Sequence, residues 1–153
     1  MQDELNKMPP ELKKIRELDE KFMKLLEESK FVEAIDVCLA IQSEMPNIPE
    51  NEKTGEKKQF FDELEDDIRD RIVHCKLKLE DYDSAIENAL NFLEIRETYG
   101  IHSKLGICYF KKGRYYKARD HFNKAKNLNP NFEDKIVDNY LKQTIEMIAD
   151  IEN

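Results

Sequence analysis

Apolar residues recur along this chain at steps of three and four, and no stretch alternates with a period of two. Leu12, Ile15, Leu18, Phe22, Leu25 and Leu26 draw one helix face over 11–28, and Ser29-Lys30 reads as a turn. Phe31, Ala34, Ile35, Cys38, Leu39 and Ile41 repeat the pattern over 31–45, until Pro46 and Pro49 stop it. The polar stretch 47–58, with Gly55, predicts a loop. Helical spacing then resumes with Phe60, Phe61, Leu64, Ile68, Ile72, Cys75 and Leu79. Further helices are predicted over 82–94, 98–111 and 115–127, and Asn129-Pro130 ends that run. Phe132, Ile136, Val137, Tyr140, Leu141, Ile145 and Ile148 predict a last amphipathic helix. The expected class is all-α.

One stretch is more specific than the rest. Over 99–132 the residues Leu105, Gly106, Tyr109, Gly113, Tyr115, Ala118, Phe122, Ala125 and Pro130 describe a helix-turn-helix unit. Gly106 lets a second helix approach, with Ala118 as its small partner. Gly113 sits in the tight turn, and Pro130 closes the unit. Such a unit cannot bury its apolar faces alone and is built for stacking. Order and spacing closely resemble the tetratricopeptide (TPR) repeat, with His102 in the place of the usual Trp.

Two weaker copies precede it. Tyr82, Ala85, Ala89 and Leu93 match a second helix, and Phe31, Ala34, Cys38, Ile41 and Pro46 match another. Ala34, Ala85 and Ala118 are 51 and 33 residues apart, which is one repeat plus about 17 residues and then one repeat. The reading is a polar leader at 1–9 and a single TPR domain at 10–151. Its units are at 11–46, 60–96 and 98–131, with an insertion at 47–59 and a capping helix at 131–151. Three tandem units and a cap imply a short right-handed solenoid.

Composition narrows function. The chain has 153 residues, 38% of them charged, and a net charge of −8, which argues against general nucleic-acid affinity. No apolar run approaches a membrane span, and the acidic start has no apolar stretch of a signal peptide, so a cytoplasmic setting is expected, with a nuclear one also compatible. Charge is uneven: 104–126 holds eight Lys/Arg against one Asp, a net +7, while 44–70 is acidic. That layout allows self-association by charge. The aromatic and basic residues over 110–122 also occur in RNA-binding segments, but the repeat already assigns Tyr115 and Phe122 to the core.

The enlarged junction between the first two units, and the run Cys75-Lys76-Leu77-Lys78-Leu79, resemble the TPR domains of large immunophilins and related co-chaperones. That resemblance implies a partner-binding scaffold. In many such domains Lys and Asn form a carboxylate clamp for the acidic tails of Hsp70 or Hsp90. By repeat register the clamp places here are Asp19, Met23, Arg71, Gly100 and Lys104. Only Lys104 keeps the expected charge, so the standard clamp is expected to be absent. The groove expected from the first helices presents Arg16, Asp19 and Met23, then Asp70, Arg71, His74 and Lys78, then Ser103, Lys104, Ile107 and Lys111. A positive stripe of Arg71, His74, Lys78, Lys104 and Lys111, with Met23 and Ile107 as apolar contacts, suits a partner segment bearing acidic residues.

The predicted function is a protein–protein interaction adaptor of co-chaperone-like role, binding a partner peptide segment in the concave groove. The alternatives are the TPR part of an immunophilin-like protein without its isomerase domain, and a secretion-type TPR chaperone. No phosphate loop, nucleophile elbow or zinc motif occurs, so no enzyme, cofactor or metal site is expected. Cys38, Cys75 and Cys108 fall inside helical patterns and read as buried thiols. His74, His102 and His121 are not spaced as ligands.

Overall fold

The computed structural model describes Asp3 and residues 8–153; residues 1, 2 and 4–7 of the expected leader lie outside the described residues. From residue 10 onward the described residues form seven α-helices: α1 (Pro10–Glu27), α2 (Phe31–Glu44), α3 (Glu56–Lys78), α4 (Tyr82–Ile95), α5 (Tyr99–Lys111), α6 (Tyr115–Leu128) and α7 (Lys135–Glu152). No strand occurs among the described residues, as the spacing predicts. Helices α1–α2 and α5–α6 pair as hairpins, α3 and α4 are joined by a turn of the same kind, and α7 follows as a final helix. None of the described helices is long and apolar enough to cross a membrane.

Local chemistry sets the ends. Pro10 begins α1, where a missing N–H costs nothing. Side chains of Asp81, Thr98 and Asp134 accept backbone N–H bonds at the starts of α4, α5 and α7. The predicted loop at 47–58 is shorter than expected. It holds two single 3-10 turns, Met45–Asn47 and Glu50–Glu52, and α3 starts at Glu56. Gly55, at φ 63°, starts the helix, and Lys58–Asp62 (2.9 Å) and Gln59–Glu63 (2.9 Å) support its polar first turns. The last helix begins later than the expected 131, because Asp134 caps it. Phe132 stays outside and packs edge-on against Tyr99 at 5.1 Å.

The three hairpin turns repeat one geometry. Ser29, Glu80 and Gly113 all adopt positive φ, at 56°, 60° and 74°. Each follows the same pair of bonds: Lys30 N–H to Leu25 O and Ser29 N–H to Leu26 O; Asp81 to Lys76 and Glu80 to Leu77; Arg114 to Tyr109 and Gly113 to Phe110. These turn residues are 51 and 33 apart, the spacing of the three alanines, which are themselves fully buried.

The described chain divides into two compact units, with the boundary inside α3 after Cys75. In the first, Ile15, Phe22, Cys38, Ile41, Ile68 and Val73 form the core. In the second, Ala89, Leu105, Cys108, Phe122, Ala125 and Ile148 do. Gly106 is the tightest contact: a Cβ there would lie 2.5 Å from the Phe122 ring. The close approach is therefore to Phe122, where Ala118 was the expected partner.

Candidate functional site

Within the first unit, the start of α3 and the first turns of α1 leave a cleft of about 750 Å³. Leu12, Ile15, Phe60, Phe61 and Leu64 supply apolar walls, and Met8 and Pro9 close one end. Helical spacing puts Leu12, Ile15, Arg16 and Asp19 on one side of α1, and Phe60, Phe61, Leu64 and Arg71 along α3. Phe60 is 58% exposed. The size falls within the range of ligand sites, roughly 300–1,000 Å³.

The predicted groove residues of this unit separate here. Arg16 and Arg71 line the cleft. Met23 is exposed and His74 half-buried, and neither lines it.

The Arg71 guanidinium is also not an open cation. It donates to Asp19 at 2.5 Å, pairs with Asp67 at 2.8 Å, and lies 4.5 Å over the Phe22 ring. Burial raises the Asp67 carboxyl pKa, and Arg71 opposes that rise. The remaining charges at the rim are paired as well: Lys57 with Glu52 at 2.6 Å, and Arg16 with Glu20 at 3.6 Å. The expected positive stripe is thus neutralised at Arg71 by an acid on the neighbouring helix. Register alone could not show that pairing.

The other predicted residues belong to the second unit. Lys104, Ile107 and Lys111 share one face of α5 by their three- and four-residue spacing. Lys104 and Ile107 are half-buried, and Lys78 and Lys111 are exposed. The Lys111 ammonium lies 5.7 Å over the Tyr140 ring. Ser103, expected on the open face, is buried and donates to its own helix at Gly100 O, 2.9 Å away.

Sequence spacing missed a polar cluster in the same unit. His102 is 1% exposed, and its ring stacks on His121 with centroids 5.3 Å apart. The two Nδ1 atoms are 3.0 Å apart, and His102 Nε2 lies 3.2 Å from Glu97 Oε1. A carboxylate only accepts, so His102 donates through Nε2 and accepts at Nδ1 from His121. Burial, then His102, pushes the His121 pKa down to about 4. Tyr109 stacks on the other face of His121 at 5.5 Å. Only the antiparallel pairing of α5 and α6 brings positions 102 and 121 together, and their separation in sequence carries no such signal.

The three thiols are buried and free, and burial raises them to about 12 (Cys38), 11 (Cys75) and 12 (Cys108). They are protonated and inert at neutral pH. Among the described residues, no group of three or more His, Cys, Asp or Glu could hold a metal ion.

The family described as tetratricopeptide repeat matches residues 101–132. No curated protein matches the chain in sequence. Among solved structures, the TPR domain of P58(IPK) matches with a TM-score of 0.72 at 17% identity, over 94% of this chain and 36% of that one. The C-terminal TPR-containing domain of a Plasmodium falciparum FK506-binding protein matches at 0.66 and 19% identity, over 94% of this chain and 96% of that one. This chain therefore spans about a third of the P58(IPK) chain, and at these identities the likeness is one of fold. The repeated turn is found at two further places upstream of the matched unit, and the fold of the chain is that of tetratricopeptide-repeat domains.

Proposed function

We propose that this chain is a non-catalytic protein-interaction module, an adaptor of co-chaperone type, whose first unit holds a segment of a partner protein in the cleft between α1 and α3. The carrying observation is the cleft itself: apolar walls, an exposed Phe60 at the mouth, and rim charges already paired. Such a surface favours a segment that inserts bulky apolar side chains. Acidic residues of the segment are not served by Arg71, whose charge is already paired with Asp19 and Asp67. An acidic Hsp70/Hsp90-type tail finds Asp19 already seated on Arg71, so the standard clamp is not expected to operate.

The test is affinity capture from the source cell with the intact chain and with Phe60→Ser, an exposed change that leaves the core alone. Capture of a specific partner, lost with Phe60→Ser and retained against an acidic tail peptide, supports the reading. Capture that is unchanged by Phe60→Ser, or abolished by the tail peptide, overturns it.

A second reading is the TPR part of an immunophilin-like protein. The match covering nearly all of the FK506-binding protein's TPR-containing domain favours it. Coding sequence beside this stretch that encodes an isomerase domain would establish that reading.

A further inference from the structure

The α7 helix carries a face that its own fold leaves open. Val137, Thr144 and Ile148 are buried, yet Ile136 and Ile151 remain 64% and 59% exposed, and Met147 37%. At ~100° per residue, Ile136, Met147 and Ile151 fall within ~60° of arc, on one edge of the buried face, and Tyr140 in the same arc is half-buried and packs on Phe110 and Phe122. Beside that stripe, within a further ~80° sector, stand Lys135, Lys142, Glu146 and Asp150. No ion pair engages these four among the described residues.

Their order is the notable property. Both lysines are in the N-terminal half of α7 and both acids in the C-terminal half, with no basic residue in the last turn. That is the wrong way round for the helix's own dipole, which favours acids at the start and cations at the end. The acids that do suit the dipole are engaged elsewhere. Asp134 caps the helix and accepts from Tyr99, and Asp138 pairs with Lys126. Lys135 and Asp150 therefore oppose the dipole of the helix that carries them, and only Lys142 and Glu146 stand at the spacing of an intrahelical pair.

Reversed against itself, the same face is complementary. An antiparallel copy that sets Ile136 on Ile151, with Met147 between them, also brings Lys135 near Asp150, and Lys142 near Glu146. Each contact then occurs twice, as in an isologous two-fold interface. A partner of unrelated sequence would give no reason for this inversion within one helix. We propose that α7 is a self-docking surface, and that two copies of this chain associate through it in antiparallel orientation. The contact involves one helix from each copy, so it lies at the small end of protein interfaces and is a weak dimer.

The experiment is sedimentation equilibrium of the intact chain from micromolar to millimolar concentration. Mass rising from 18.2 kDa toward twice that value is expected. Lys135→Glu/Lys142→Glu makes the flank all acidic, and Glu146→Lys/Asp150→Lys makes it all basic. Either variant alone is expected to weaken association by about tenfold, and an equal mixture of the two to restore it. All four sites are exposed, and circular dichroism checks that the helices persist. Ile136→Ser/Ile151→Ser is expected to leave a monomer. The proposal is overturned if mass stays at 18.2 kDa throughout, which would leave the face to a different protein. It is also overturned if the charge variants associate as the parent does, or if mixing them restores nothing.

Discussion

In the α5–α6 hairpin the first helix contributes Gly106 and the second contributes Phe122, whose ring sits where a Gly106 side chain would be. Eighty-four residues earlier, at the same register in α1–α2, the first helix carries Phe22 and the second Cys38. All four positions are fully or almost fully buried. The large residue has changed sides. At these two register positions one hairpin carries its large buried residue on the second helix and the other on the first, although both close with the same pair of turn hydrogen bonds. Close packing constrains the volume shared by two facing positions more than the identity of either. A repeat can therefore keep its backbone while losing the residues by which its sequence is recognised. In keeping with this, the family match covers residues 101–132 and not the first hairpin.

The largest effect is expected from deleting the first hairpin's large residue. Phe22→Ala should cost about 3–5 kcal/mol, from lost burial and the cavity left behind. It also removes the ring beneath the Arg71 guanidinium. Urea denaturation reads the loss. A cost below 1 kcal/mol would mean that Cys38 and its neighbours collapse into the space, and would break the parallel between the hairpins.

In the third hairpin the converse change adds volume. Gly106→Ala gains helix propensity but drives a methyl to 2.5 Å from a ring that Tyr140 backs at 6.3 Å. A net loss of about 2 kcal/mol is expected. In a Phe122→Leu background the same substitution should cost much less, because the two positions share one space. Equal cost in both backgrounds would show that Gly106 is required for another reason.

This inversion also explains what the sequence made legible. The helices, the three hairpins and the upstream spacing of 51 and 33 follow from apolar periodicity and from buried alanines, which tolerate little change of volume. The close approach was placed at Ala118 because glycine and alanine read as small partners, whereas the fold opposes glycine to phenylalanine. The candidate site was less legible. Arg16 and Arg71 do line a cleft, yet the charge of Arg71 depends on Asp19, 52 residues away in sequence. The His102–His121 contact likewise depends on pairing across a hairpin. Periodicity within one helix reports which face is buried, but not which charged groups meet across two.

The turns offer finer tests of the likeness among hairpins. Gly113 has positive φ, and nothing lies within 4 Å of a Cβ placed there. Gly113→Ala should therefore cost about 1 kcal/mol from backbone strain alone, with no packing contribution. A larger loss by urea denaturation would show that the α5–α6 turn is constrained by more than its left-handed residue.

The smallest effect has the opposite sign. Glu80 holds the equivalent place in the α3–α4 turn at φ 60°, and its side chain is exposed. Glu80→Gly removes a left-handed strain of about 1–2 kcal/mol. It also returns conformational freedom to the unfolded chain, worth about 0.4–1 kcal/mol against folding. The net expectation is a gain of about 0.5 kcal/mol, read as a rise in the urea midpoint without a change in slope. Ser29→Gly should behave in the same way, since its turn makes the same two hydrogen bonds. If Glu80→Gly instead destabilises, its side chain contributes to the folded state, and the three turns are alike in backbone but not in energy.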